Sequence, residues 1–164
     1  MLTPVWWAII AVAAVFLLAF RHKREQMAGN LLIVYLLFVL ASTVLSRTRV
    51  HELSYRELMN LDLIGCWLER SSGASANHWE LILNFFMLMP FGFLWPMATG
   101  RKLPSTLLLG FALILVIELA QLLTRRGWFE LCDIVDNTIG VLLGYGLYSA
   151  GKRLILRTKE KNNC

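Results

Sequence analysis

Residues 131–148 read "LCDIVDNTIGVLLGYGLY". From Ile139 onward this is an apolar helix suited to a bilayer, yet Asp133, Asp136 and Asn137 stand in its first turns. A carboxylate in the middle of a membrane span costs about 2.5–3.5 kcal/mol on insertion scales, and less near an interface. A segment carrying two carboxylates and an amide at one end therefore needs polar company there. The rest of the chain supplies it.

Hydrophobic residues make up 57% of the 164, and charged residues only 16%. Soluble domains are nearer one quarter charged, so much of this surface is built for lipid. The chain is read as one unit, 1–164: an all-α, polytopic membrane helical bundle. Five apolar stretches give about five spans, at 4–20, 28–45, 81–98, 103–123 and 131–150. Each is close to the roughly 20 residues that cross about 30 Å of hydrocarbon. The first has no basic leader and no small-x-small cleavage site, so it reads as a retained span.

The net charge of +5 is distributed in short clusters between these stretches. That pattern orients helices in a membrane and does not line a nucleic-acid groove. Arg21, Lys23, Arg24, Arg101, Lys102, Lys152, Arg153, Arg157, Lys159 and Lys161 fall on one side. Arg47, Arg49, Arg56, Arg70, Arg125 and Arg126 fall on the other. The richer side is cytoplasmic by the positive-inside rule, which puts the N-terminus outside and the C-terminal tail inside. Cys66, Cys132 and Cys164 show no metal-ligand spacing, so neither a metal nor a cofactor is expected. Cys66 and Cys132 fall on the same side and could pair, but two separate thiols are the first expectation.

The connection from Ser46 to Glu80 is then extracytoplasmic. Its middle, "SYRELMNLDLIGCWLER", spaces Leu58, Leu61, Ile64 and Leu68 at three- and four-residue steps. The spacing predicts a short amphipathic helix within 54–69, lying on the outer surface or packed over the bundle mouth.

Polar residues from three spans fall at a similar depth on that outer side. Glu118 and Gln121 share one helix face, Asp133 shares another with Asp136 and Asn137, and Asn84 lies near the outer end of its own span. Arg125 and Arg126, on the turn between the last two spans, are placed to offset the carboxylates. Packing alone is one reading, since Asn84, Gln121 and Asn137 can bridge helices and Asp133 suits a helix N-terminus. A polar pocket open to the outside is the other, because ionisable groups inside a span are a functional signal. Glu118 favours the pocket, being too deep for a cap and without a basic partner in its helix. Gly140 and Gly144 form a GxxxG that lets another helix approach closely, and offers a seam for a second copy. Pro90 and Pro96 should kink the third span or end it early.

Taken together, these residues resemble the VanZ-like family of small bacterial membrane proteins. The resemblance runs over roughly 80–148 and rests on an ordered set of motifs. They are "NFFMLMPFG" (Asn84, Pro90, Phe91, Gly92), "ELAQ" (Glu118, Gln121) and "FELCDIVDNTIG" (Asp133, Asn137, Thr138, Gly140). Glu130 stands where members of the family often carry Asp, and their loop arginine falls about one position from Arg126. The resemblance implies a multi-pass protein of the bacterial cytoplasmic membrane and cell envelope, with low-level teicoplanin resistance as the activity behind the family name.

Two classes of function follow. A binding protein would hold a lipid headgroup or lipid-linked envelope precursor against Asn84, Glu118, Gln121, Arg126, Asp133, Asp136 and Asn137, with a lipoglycopeptide as a further ligand class. The acidic lining favours ligands bearing amines or hydroxyls. An intramembrane enzyme would use Glu118 or Asp133 as a general base, or a divalent ion between Glu118, Asp133 and Asp136. Against the enzyme, the chain has no HExxH, phosphate loop or Ser/His pairing.

Overall fold

In the computed structural model, residues 24–49, 52–71 and 78–162 are described. The apolar stretch 4–20 lies outside them. The first described helix, α1 (Arg24–Leu40), continues into a wider π turn over Ala41–Leu45. Ser42 and Thr43 donate their hydroxyls to the Val39 carbonyl at 3.0 and 2.7 Å, and Ser46 N–H reaches back to Ala41. Hydroxyls competing for main-chain acceptors loosen a helix in this way.

The segment after α1 is only partly helical. Ser54 and Glu57 form a closed capping exchange around one turn, which holds the Glu57 carboxyl below the usual carboxylate range. The turn does not propagate. Met59–Asn60 (β1) instead pairs in parallel with Phe129–Glu130 (β2). Helix α2 begins at Leu63 and runs to Ser71, with Asp62 as its N-cap receiving Gly65 N–H at 2.9 Å. The expected helix within 54–69 is thus shortened. Leu58 is fully buried beneath the turn, whereas Leu61, Ile64 and Leu68 stay outside the core.

Helix α3 spans His78–Thr99, passes through Pro90 and Pro96, and therefore does not end early. Gly100, at φ +67°, closes it with an N–H to the Pro96 carbonyl. Helix α4 (Leu103–Thr124) ends where Arg125 takes a left-handed φ of 54°. Arg125 and Arg126 donate their N–H groups to Leu122 and Gln121, turning the chain back across the bundle end. Helix α5 then runs from Leu131 to Asn162, carrying the basic tail as a helical extension of the last apolar stretch.

Three helices are long and apolar enough to cross a membrane, over Glu25–Leu45, Leu81–Thr99 and Leu103–Thr124. Only 33–39% of each span is buried inside the molecule, so most of each apolar surface faces outward and calls for an apolar medium. The 131–150 stretch has sufficient length. Its buried Asp136 and Asn137 and its glycines dilute its hydropathy, and it is not among the three.

The core is the α3–α5 interface, with Leu88, Phe91, Phe93 and Leu94 of α3 against Ile134 and Val141 of α5. A side chain at Gly140 would strike the Phe85 carbonyl, one at Gly144 the Met89 carbonyl, and one at Gly92 the Val141 carbonyl. Asn84 meets Asp133, Phe85 meets Gly140 and Phe93 meets Tyr148, so α3 and α5 run parallel, and α4 is the antiparallel return that connects them. The GxxxG seam is therefore occupied within the chain and is not left for a second copy. Gly144→Leu is expected to overpack this seam and cost about 1–3 kcal/mol, read as a lowered melting temperature in detergent; an unchanged melt would mean that the helices do not touch there.

Cys66 on α2 and Cys132 on α5 are joined in a disulfide, with Cα atoms 6.5 Å apart and 66 residues between them in sequence. Separate thiols had been expected. Neither cysteine lies in a recognisable framework, and the β1–β2 pair immediately precedes both α2 and α5. Loop closure over that distance predicts about 4 kcal/mol of stabilisation. Replacing both cysteines by serine should remove it, read as a lower denaturation midpoint and loss of the reductant-dependent gel shift.

Candidate functional site

All the polar elements meet at one end of the bundle. The C-terminal ends of α1 and α4 and the N-terminal ends of α3 and α5 lie together there, roofed by the β1–β2 pair. Glu118, one and a half turns from the end of α4, is 2% exposed. Its Oε2 accepts the Glu130 N–H at 3.1 Å, so the carboxylate holds the strand that precedes α5. The charges acting on Glu118 are the carboxylates of Asp133 and Glu130 and, as the cation, Arg47.

Asn84 donates its Nδ2 to Asp133 Oδ1 at 2.6 Å, a short bond of the charge-assisted kind linking α3 to the first turn of α5. One turn on, Asn137 is fully buried and gives its Nδ2 to the Asp133 carbonyl at 2.8 Å. Gln121 is 3% exposed and gives its Nε2 to the Thr43 carbonyl at 3.2 Å, which draws α1 into the cluster. Asp136 is also fully buried.

The two buried amides share a pattern. In each, the nitrogen is committed to a carbonyl, which fixes the amide orientation. In each, the oxygen is left over: Gln121 Oε1 and Asn137 Oδ1 accept no hydrogen bond from a described residue. A buried acceptor without a donor costs about 1–3 kcal/mol. The cluster is therefore rich in acceptors, with the carboxyl groups of Glu118, Asp133 and Asp136 and two amide oxygens that have no donor among the described residues, and its chemical demand is for donors.

Arg126 does not join the carboxylates. Its Nη1 donates to the Leu45 carbonyl at 2.5 Å and lies 3.5 and 3.4 Å from those of Val44 and Arg47, closing the end of α1. A guanidinium beside exposed C-terminal carbonyls meets both their hydrogen-bond and dipole needs, which outweighs a longer reach to the acids. Arg125 sits 4.5 Å above the Tyr55 ring. Among the described residues no three of His, Cys, Asp and Glu converge to hold a metal ion, so the Glu118–Asp133–Asp136 ion site is not formed.

Sequence reasoning missed Thr43, Arg47 and the Glu130 N–H. The first and last act through the main chain, which side-chain identity does not announce. Arg47 had been counted only as loop charge.

Substitution separates the hydrogen-bonding duty of Glu118 from its charge. Glu118→Gln keeps an oxygen for the Glu130 N–H and is expected to shift stability by less than about 1 kcal/mol, whereas Glu118→Leu should cost about 1–3 kcal/mol. Melting of both purified variants in detergent checks this, and equal melts would show that the Glu130 contact carries no weight.

The family model of VanZ/LLP1 matches residues 5–156, nearly the whole chain. Neither a curated protein nor a solved structure matches it. The matched region takes in every residue of the cluster, and with that match the chain belongs to the VanZ/LLP1 family.

Proposed function

We propose that the protein is a five-span component of the bacterial cytoplasmic membrane that binds a lipid headgroup or lipid-linked envelope precursor at the Glu118–Asp133 end of the bundle. That end faces outward, with the N-terminus outside and the basic end of α5 in the cytoplasm. The single observation behind this reading is the acceptor surplus: Gln121 Oε1 and Asn137 Oδ1 stand buried without a donor among the described residues, beside Glu118, Asp133 and Asp136. A ligand presenting ammonium or hydroxyl groups supplies what those oxygens lack, whereas bare phosphate alone would be repelled.

The charge asymmetry of the termini supports the orientation, and the Cys66–Cys132 disulfide on the same end suits an oxidising compartment. The exposed apolar residues Leu61, Ile64 and Leu68 suit α2 to a place in the outer headgroup region. Holding such a ligand changes how a lipid-tailed glycopeptide engages the cell surface, and low-level teicoplanin resistance is the expected phenotype. A lipoglycopeptide itself offers both hydroxyls and amines and is the second ligand class.

Expression in a sensitive host, with teicoplanin and vancomycin susceptibility measured side by side, tests the reading. Selective protection against teicoplanin is expected, reduced severalfold by Glu118→Gln and by Asp133→Asn at unchanged membrane abundance. Full protection by both variants would end the pocket reading and leave the cluster a packing device.

A further inference from the structure

A second feature lies at the same end, on the surface above the buried cluster. Ser46, Arg47, Thr48, Arg126, Gly127 and Trp128 line an open recess of about 390 Å³. Two arginines are in its lining, the Ser46 hydroxyl is already given to the Ser42 carbonyl at 2.6 Å, and Trp128 is 45% exposed. A side chain at Gly127 would press on the Arg47 guanidinium at 3.1 Å and on Gln121 at 3.2 and 3.3 Å. Arg126 is held in place by the carbonyls that its Nη1 serves, and its remaining N–H groups have no partner among the described residues.

From this we infer that the recess binds the phosphate of an anionic membrane phospholipid. Arginine suits phosphate because its planar fork donates two bonds at once. Charge decides the sign of the ligand. The C-terminal ends of α1 and α4 each bring roughly half a negative charge to this end, against two full positive charges from Arg47 and Arg126. Of the recess's own charges the balance is positive, the α4 end is already satisfied by the N–H groups of Arg125 and Arg126, and the Glu118 carboxylate that acts on Arg47 is buried behind the recess.

Position decides the source. Leu45, 68% exposed, immediately precedes the recess, and Leu123, 71% exposed, lies on the last turn of α4. A phosphate bound here has apolar surface directly beneath it for acyl chains, and Trp128 stands at the level where indoles mark a membrane interface. A free phosphate would use none of this. The recess stands independently of the acceptor cluster, although Gln121 forms part of the wall between them.

The test uses the full chain purified in a non-ionic detergent and titrated with short-chain phosphatidylglycerol, with the matching diacylglycerol and inorganic phosphate as separate arms. Saturable binding of phosphatidylglycerol is expected, with binding of the other two at least about tenfold weaker. Arg47→Glu should weaken it about tenfold or more, since one charge pair at a guanidinium–phosphate contact is reversed. Arg49→Glu, outside the recess, should change it less than about twofold. Glu118→Gln should leave it unchanged or tighten it, because a carboxylate acting on Arg47 is removed. Equal binding by wild type and Arg47→Glu would overturn the assignment, as would diacylglycerol or inorganic phosphate binding as tightly as the phospholipid. Loss of binding in Glu118→Gln with Arg47→Glu unaffected would move the ligand to the buried cluster and also overturn it.

Discussion

Backbone meets backbone where α3 packs on α5, and the polar end of the molecule depends on that approach. In lipid the hydrophobic effect gives helices little reason to associate, so close contact through small residues has to supply the attraction. Gly92 on one helix and Gly140 and Gly144 on the other provide it. Their register also sets what happens at the end of the bundle. Gly140 meets Phe85 within the seam, and nearer the end of the bundle Asn84 of α3 bonds Asp133 of α5 at 2.6 Å. The glycines thus act in the core while the acids act at the end, and one parallel alignment serves both.

Much of this was legible in the sequence, because helical periodicity places residues on faces without any knowledge of neighbours. The acid and amide motifs and the close approach of the glycine-bearing span follow from spacing. What escaped notice depends on main-chain groups or on contacts between distant segments. Glu118 was expected to face other side chains, and its nearest partner is the N–H of Glu130. Gln121 was expected within a three-span cluster, and it reaches the Thr43 carbonyl on α1. The Ser54–Glu57 spacing reads as a helix start, yet β1 follows after a single turn because Met59–Asn60 finds a partner strand 70 residues on. No local pattern encodes that pairing, and the Cys66–Cys132 disulfide was equally hidden.

Arg126 shows how a misplaced expectation carries information. Counted as a counter-charge for buried carboxylates, it belongs in the pocket. Its guanidinium instead serves the carbonyls that the π turn leaves at the end of α1. Asp133 accepts a hydrogen bond from Asn84, Glu118 accepts one from the Glu130 N–H, and Arg47 is the cation acting on Glu118. A buried acid compensated by neutral donors keeps more capacity for an incoming cationic or hydroxylic group than one locked in a bidentate ion pair.

This division of labour separates the end of the bundle into two layers of opposite character. Inside lie carboxyl groups and amide oxygens without donors among the described residues; outside, the recess is lined by Arg47 and Arg126. Gln121 lies between the layers, its nitrogen turned to α1 and its carbon skeleton under Gly127. Most phospholipid and envelope-precursor headgroups carry a phosphate on the membrane side and amines or hydroxyls beyond it. On the proposed reading, one ligand meets both layers when its polar group folds back toward the bundle, which is a property of headgroups with a flexible donor arm. A ligand that supplied only the phosphate would stop at the arginines and leave the buried oxygens as they are.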